Sequence, residues 1–172
     1  SAYSMFEQQS LKNRLEIANN LWNKTAPEGF LIFIENGSNS GFQVIDEIRQ
    51  FLIDYNAKNQ EDGFIFSPCP HESTCPRMEQ NDNTPCNFEV KYTTLPFSGT
   101  VQIKKHFYSY LVIKKGKPNE NSDRWPRVVR PTLIRCKHVI CNLCTSSGKL
   151  EQATFTKSKH EKFAYRCARH AK

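Results

Sequence analysis

The sequence lacks any long apolar run, since none approaches the ~20 residues that a helix needs to cross a bilayer. Residues 1–6 have neither a basic segment nor a long apolar segment, so we expect no secretory signal there. An Arg-rich, acid-poor presequence is also missing, so we expect any targeting segment to have been removed or to lie outside these 172 residues. We therefore expect no membrane partner.

Glycine-rich motifs are also missing. A nucleotide-binding sheet uses a Gly-x-Gly-x-x-Gly turn after its first strand. Here Gly37 and Gly41 are isolated and are more typical of turns than of a nucleotide cradle. We expect no cofactor-binding site of this kind and no catalytic residues in this chain.

The seven cysteines are an odd number, which would leave one thiol unpaired in a secreted protein. A reducing compartment, the cytosol or the mitochondrial matrix, fits better. Cys69, Cys75 and Cys86 fall in one short loop punctuated by prolines, and Cys144 ends a Cys-x2-Cys pair with Cys141. Thiolates crowded into a loop without a core of its own usually hold a metal or a cluster.

Charge divides the chain unevenly. Residues 1–100 carry 7 basic and 13 acidic side chains, a net charge of −6, whereas residues 101–172 carry 17 and 4, a net charge of +13. A strongly basic module of this kind favours a polyanionic partner, and nucleic acid comes first. Trp125, Phe163 and Tyr165 are interleaved with the basic residues and could stack on bases or belong to the core.

Hydrophobic periodicity predicts an α/β fold. Residues 10–24 and 42–55 show helical apolar stripes, with Asp46 and Arg49 on the polar side of the second. Residues 30–34 form a continuous apolar run, which predicts a strand buried on both faces. With residues 64–66 as the next strand, a right-handed βαβ crossover in a parallel sheet is the simple interpretation.

The second half of the sequence predicts mainly β-strands. Residues 106–114 are rich in β-branched and aromatic residues, which predicts a strand that brackets the cysteine loop together with residues 64–66. Short strand-like pieces follow at residues 127–130, 132–135 and 138–141, and residues 150–156 should pair back as a hairpin.

The residues alone leave the metal open. Cys69-x5-Cys75-x10-Cys86 is looser than the Cys-x2-Cys pairs of a zinc ribbon, but four thiolates suit either an iron–sulfur cluster or zinc. A rival zinc site would combine Cys141 and Cys144 with two loop cysteines.

The remaining candidate side chains have other expected roles. We expect His71 to form a hydrogen bond beside the cysteines rather than to bind metal, although it could bind zinc or form a dyad with a loop cysteine. His138 and His160 are expected at the surface or against nucleic acid. Two cysteines without partner spacing are expected to be packing thiols: Cys136 and Cys167.

Several motifs match a known family: Leu21-Trp22-Asn23-Lys24-Thr25, residues 30–37, Pro68-Cys69-Pro70-His71 with Cys75-Pro76, residues 109–112, Arg124-Trp125-Pro126-Arg127, and His138-Val139 leading to Cys144. Over nearly its whole length the chain resembles the C-terminal part of the mitochondrial small-ribosomal-subunit proteins related to class I methyltransferases, the methyltransferase-like protein seventeen family.

The resemblance implies a fold: the C-terminal half of a class I methyltransferase-like, Rossmann-type sheet. Residues 30–34 would be its fifth strand, 64–66 its sixth and 107–113 its antiparallel seventh. A partial methyltransferase-like domain would span residues 1–115, with a cysteine-rich insertion at 67–100, and a basic β-rich extension would span 116–172.

The resemblance also implies a cofactor and a function. A four-iron four-sulfur cluster would be held by Cys69, Cys75, Cys86 and Cys144, as a structural staple. The expected function is non-enzymatic: a component or assembly factor of the mitochondrial small ribosomal subunit, in the matrix, bound to small-subunit rRNA and mitochondrial ribosomal proteins. The alternatives are one half of a split rRNA methyltransferase, completed by a second chain carrying the N-terminal half, and a zinc-stabilised RNA-binding module.

Overall fold

The computed structural model describes residues 1–80, 83–95, 99, 101–119 and 124–171. Its elements, in chain order, are α1 (Leu11–Lys24), β1 (Phe30–Asn36), α2 (Asn39–Asn59), β2 (Gly63–Ser67), α3 (Pro76–Gln80), β3 (Phe88–Thr93), β4 (Ile103–Lys115), β5 (Arg127–Val128), β6 (Leu133–Ile134), β7 (His138–Cys144), β8 (Leu150–Thr156) and α4 (Lys162–His170). The mixed α/β class expected from the sequence is confirmed.

The first sheet is organised around β4, which pairs antiparallel with β1, β2 and β3. The strand order is β1-β4-β2, and β3 also pairs with β4. The antiparallel strand expected at residues 107–113 is therefore confirmed. β1 and β2 run in the same direction and are joined through α2, but β4 lies between them and pairs antiparallel with both, so the prediction of a parallel sheet is wrong. The 13-residue β4 lies between them and satisfies the backbone groups of both.

Helices α1 and α2 cover one face of this sheet. Trp22, Phe33 and Ile48 are fully buried in the shared core, as the helical stripes predicted. Burial alternates along β1, and Phe30 and Ile32 stay 50% and 44% exposed. The prediction of burial on both faces is wrong, because within the described residues the two long helices lie on the same side.

The cysteine loop leaves and rejoins the same edge of β4. Ser67, the last residue of β2, pairs with Val112, and Phe88, the first residue of β3, pairs with Tyr108. The described residues of the intervening loop, 68–80 and 83–87, lie outside the sheet. The loop is thus anchored at both ends by the sheet.

The second sheet is formed by β5, β6 and β8 around β7, all antiparallel. The hairpin predicted for residues 150–156 is confirmed by the β7–β8 pairing. Helix α4, which was not predicted from the sequence, packs Tyr165 and Ala168 against Val139 and Cys141 of β7. In the described part of the chain, none of the helices is long and apolar enough to cross a membrane.

Candidate metal centre

Four cysteines are held at the ends of secondary-structure elements. Cys69 follows β2 by two residues, Cys75 directly precedes α3, Cys86 precedes β3 by two residues, and Cys144 is the last residue of β7. The first three therefore belong to the loop of the first sheet, and the fourth belongs to the second sheet. Their backbone positions are fixed by the strands that flank them.

All four of these side chains line one cavity, with a volume of about 40 Å³. A single water needs only about 10–15 Å³ on the same measure, so the space is larger than one small ion or water requires. Hydrophobic and proline residues form much of the remaining wall: Phe42, Ile45, Pro68, Pro70, Pro76, Phe88, Leu111, Val129 and Leu150. The predicted ligand set is thus brought together from segments up to 75 residues apart in sequence.

Burial raises the pKa of all four thiols. The pKa of Cys86 rises to about 12, first because of burial. The second cause is that Cys69, Cys75 and Cys144 are close enough for their thiolates to repel a thiolate at Cys86. The pKa of Cys144 also rises to about 12, first because of burial and then because of its proximity to Cys69 and Cys75. Several thiolates in one buried space are costly without a positive centre, and a coordinated metal is what deprotonates such thiols.

Arg49 is a buried cation beside this cavity, 2% exposed. Its Nη2 donates to the backbone oxygens of His71 at 3.0 Å and Ser73 at 2.8 Å. Its Nε and Nη1 have no hydrogen-bond partner among the described residues. The charge of Arg49 lowers the pKa of Cys69, against the larger opposing effect of burial. A buried guanidinium with unused donors fits an anionic group in the cavity.

His71 connects the loop to the second sheet. Its Nε2 lies 3.2 Å from Sγ of Cys144, and its Nδ1 lies 2.9 Å from Oγ of Ser73. If the Ser73 hydroxyl donates to Nδ1, Nε2–H is free to donate to sulfur. Hydrogen bonds of this kind orient and stabilise a metal-binding thiolate. The expected hydrogen-bonding role of His71 beside the cysteines is confirmed.

Cys141 lies outside the cavity. Strand side chains alternate between faces, so Cys141 and Cys144, three residues apart on β7, point to opposite sides. The Cys141 thiol packs in the second core and donates to the Ala168 backbone oxygen at 3.9 Å. The rival zinc site that needs both cysteines of this pair is therefore not formed.

Two other sequence predictions for side chains are wrong. Cys136 and Cys167 were expected to be packing thiols, but both are exposed. Cys136 falls in the irregular turn between β6 and β7, and Cys167 lies on the outer side of α4. Of the three aromatic residues that could stack on bases or belong to the core, Tyr165 is 7% exposed and belongs to the core, whereas Trp125 and Phe163 are exposed.

The thiols surround a space rather than meeting at one point. Among residues 1–80, 83–95, 99, 101–119 and 124–171, no group of three or more His, Cys, Asp or Glu side chains is arranged to hold a metal ion. Three arginines also line the cavity: Arg49, Arg77 and Arg127. The role of Arg49 was not predictable from the sequence, because its place on the polar side of α2 is also that of an ordinary solvated residue.

The sheet built on β4 and the thiol-lined cavity define the chain as an α/β protein with a candidate metal centre. All of it, residues 1–172, matches the sequence model of the family described as "Mitochondrial small ribosomal subunit Rsm22". The chain belongs to this family.

Similar proteins agree with this assignment. The chain is 37% identical over 172 residues to human "Ribosome assembly protein METTL17, mitochondrial", covering 98% of the chain and 36% of that protein. It is 30% identical over 201 residues to "Rsm22-cox11 tandem protein 2, mitochondrial" of Schizosaccharomyces pombe, covering 96% and 27%. It is 23% identical over 248 residues to "Ribosome assembly protein RSM22, mitochondrial" of Saccharomyces cerevisiae, covering 87% and 39%.

The chain thus spans between 27% and 39% of the length of these three relatives. The family resemblance read from the sequence motifs is confirmed, and so is the mitochondrial location.

Proposed function

We propose that this chain is part of an assembly protein of the mitochondrial small ribosomal subunit, which holds small-subunit rRNA and carries a structural four-iron four-sulfur cluster. The names of the human and budding-yeast relatives support the ribosomal part of the proposal. The proposed ligands of the cluster are Cys69, Cys75, Cys86 and Cys144. No catalytic role is assigned to any of them.

The observation that carries the proposal is the convergence of thiols from both sheets on one cavity. The described residues between positions 68 and 87 include a five-residue helix and few buried side chains, so this part of the chain has little core of its own. Small segments of this kind are commonly stabilised by a bound metal, whose binding free energy becomes folding free energy. A cluster here would fasten the loop to the second sheet.

The size of the cavity favours a cluster over a single zinc ion. With Zn–S distances of about 2.3 Å, tetrahedral zinc would bring its sulfur atoms to about 3.8 Å from one another. A four-iron four-sulfur cluster is several atoms wide and holds its cysteine sulfurs farther apart. Thiols arranged around an open space fit the wider group, and the buried charge of Arg49 offsets the negative charge of the thiolates. When bound, the cluster supplies iron–thiolate bonds that hold the loop.

The charge distribution supports rRNA as a partner. The net charge of +13 on residues 101–172 suits the dense phosphates of structured RNA, which give affinity with little reading of sequence. The same residues contribute Cys144 to the cavity. The proposed cluster would therefore fix the position of a basic surface relative to the first sheet.

The methyltransferase alternative needs a Gly-rich S-adenosylmethionine site on polypeptide outside these 172 residues. The relatives are longer than this chain, so that polypeptide could be the same protein or a partner. Isothermal titration of S-adenosylmethionine into the full-length protein, alone and with candidate partners, would support this alternative if the cofactor binds. Absence of binding would leave the structural role.

The experiment that tests the proposed function replaces one proposed ligand and compares it with a matched thiol. Cys75→Ser should lose most of the bound iron, and the protein should shift away from small-subunit fractions in a sucrose gradient of mitochondrial lysate. Cys136→Ser, at an exposed cysteine outside the cavity, is the control and should behave as the unchanged protein. Retention of both iron and sedimentation by Cys75→Ser would contradict the proposal.

A further inference from the structure

A second, larger cavity lies beside the candidate metal centre. It has a volume of about 480 Å³, within the range of pockets that bind small organic groups. Its walls come from the turn before β1, from β2, from the end of β4 and from the segment before β5. Cys69, Pro70 and Arg127 line both cavities, so residues 69–70 form part of the wall between them.

The lining of this pocket combines positive charge with aromatic faces. Four cations contribute to it: Lys114, Lys117, Arg124 and Arg127. Among the described residues, the acidic side chain that lines it is Glu28, whose Oε2 lies 2.5 Å from Nζ of Lys114. Nη2 of Arg124 likewise lies 3.0 Å from Oε1 of Glu72, so within the described residues the positive charge that complements an anion comes mainly from Lys117 and Arg127.

Three aromatic side chains line the same pocket: Phe64, Phe66 and Trp125. Trp125 is 72% exposed and Phe66 is 55% exposed. Aromatic side chains normally stabilise a protein by being buried, and these exposed indole and phenyl rings do not make that contribution. An exposed ring beside several cations is the arrangement by which proteins stack a base and hold its phosphate.

We propose that this pocket binds an unpaired nucleotide of RNA, with its base stacked on Trp125 and its phosphate held by Lys117 and Arg127. The inference deepens the proposed function, because it names the surface and the kind of RNA element that the chain would hold. Duplex RNA keeps its bases stacked inside the helix, so an unpaired nucleotide is the ligand that matches this pocket.

The two tryptophans of the chain allow ligand binding at the pocket to be measured by fluorescence. Trp22 is fully buried and Trp125 is largely exposed, so their fluorescence differs in wavelength and in access to a quencher. Titration of the full chain with a single-stranded decauridylate should quench the long-wavelength emission of Trp125. Trp125→Ala should weaken decauridylate binding roughly 5-fold to 100-fold, the range that corresponds to loss of one stacked base. Trp125→Phe should retain most of the affinity.

Two control variants and one control ligand separate stacking from general attraction. Phe163→Ala removes an aromatic side chain on α4 that is 77% exposed, and Lys157→Ala removes an exposed cation outside the pocket. Phe163→Ala should leave affinity unchanged, and Lys157→Ala should weaken it less than Lys117→Ala. Inorganic polyphosphate carries the charge without the base, so Trp125→Ala should not change its binding.

Three results would overturn the pocket assignment. One is unchanged decauridylate affinity in Trp125→Ala, and another is an equal loss of polyphosphate binding. The third is quenching of Trp125 by a decaglutamate peptide but not by RNA, which would indicate an acidic protein segment instead. If the unchanged chain still binds rRNA fragments while Trp125→Ala has no effect, only the pocket is wrong. If the unchanged chain binds no RNA, the rRNA-holding function fails as well.

Discussion

Nε2 of His71 lies 3.2 Å from Sγ of Cys144, although the two residues are 73 positions apart in the chain. One belongs to the cysteine loop of the first sheet and the other ends β7 of the second sheet. His71 is 4% exposed, and this hydrogen bond holds its imidazole at the candidate metal centre. It gives the loop a polar contact with the second sheet in addition to any metal.

Replacing this imidazole should weaken the centre without abolishing it. His71→Ala leaves the Cys144 sulfur without its hydrogen bond, and we expect the free energy of unfolding to fall by about 1–3 kcal/mol. The cluster should form but lose its visible absorbance faster in air. His160→Ala, at an exposed histidine on the turn after β8, is the control. Equal bleaching rates in His71→Ala and the unchanged protein would contradict this role.

Arg49 should stabilise the folded loop through hydrogen bonds and the negatively charged cluster through its positive charge. Arg49→Met removes two hydrogen bonds to loop carbonyls, and we expect a loss of roughly 1.5–3 kcal/mol in the free energy of unfolding. Loss of a nearby positive charge should also lower the reduction potential of the cluster, because the reduced form is more negative. Protein-film voltammetry measures the potential and chemical denaturation measures the stability.

The control for Arg49 is Arg135→Met, which removes the charge of an exposed arginine next to β6. It should leave both the potential and the stability close to those of the unchanged protein, because solvent and salt screen exposed charges. An unchanged or raised potential in Arg49→Met would show that its charge does not act on the cluster.

Gly148 holds the β7–β8 turn against the loop. Its φ is +76°, and a Cβ there would lie 2.2 Å from Oγ of Ser73, the hydroxyl that contacts His71. Gly148→Ala should cost about 1–2 kcal/mol from the backbone alone, and more from displacement of Ser73. Thermal unfolding checks this.

Gly99 provides a matched comparison, because its φ is +94° but a Cβ there would meet no atom of the described residues within 4 Å. Gly99→Ala should therefore lower the free energy of unfolding only by the backbone contribution of about 1–2 kcal/mol. The double variant Ser73→Ala, Gly148→Ala should recover part of the loss, measured by a double-mutant cycle. Full additivity in that cycle would mean that Gly148 and Ser73 do not interact.

Local patterns predicted the parts of the fold that depend on nearby residues. The apolar stripes of α1 and α2 and the β-branched run of β4 correspond to the observed elements. The amphipathic period of α4 was present too, with Tyr165 and Ala168 on one side, but the helix was not predicted because its residues fell within the basic extension that was expected to be β-rich. Whether both faces of β1 are covered depends on which side of the sheet the helices lie, and sequence periodicity does not contain that information.

The candidate site was predictable only in part. The cysteine set followed from the family resemblance, because spacing alone left Cys141 and Cys144 equally plausible. Alternation along β7 separates these two, and this requires knowing that the segment is a strand. Arg49 was missed because a polar residue on a helix becomes buried only when a distant loop folds over it. Nothing in α2 itself distinguishes it from a solvated arginine.

The central claim is that four cysteines of two sheets hold one iron–sulfur cluster. The most direct measurement is iron, sulfide and zinc analysis of the protein purified without oxygen, together with its visible absorption spectrum. We expect a brown protein with about four iron and four sulfide per chain, and loss of the colour in Cys144→Ser but not in Cys141→Ser. A colourless protein that contains zinc, or one that contains no metal at all, would contradict the account.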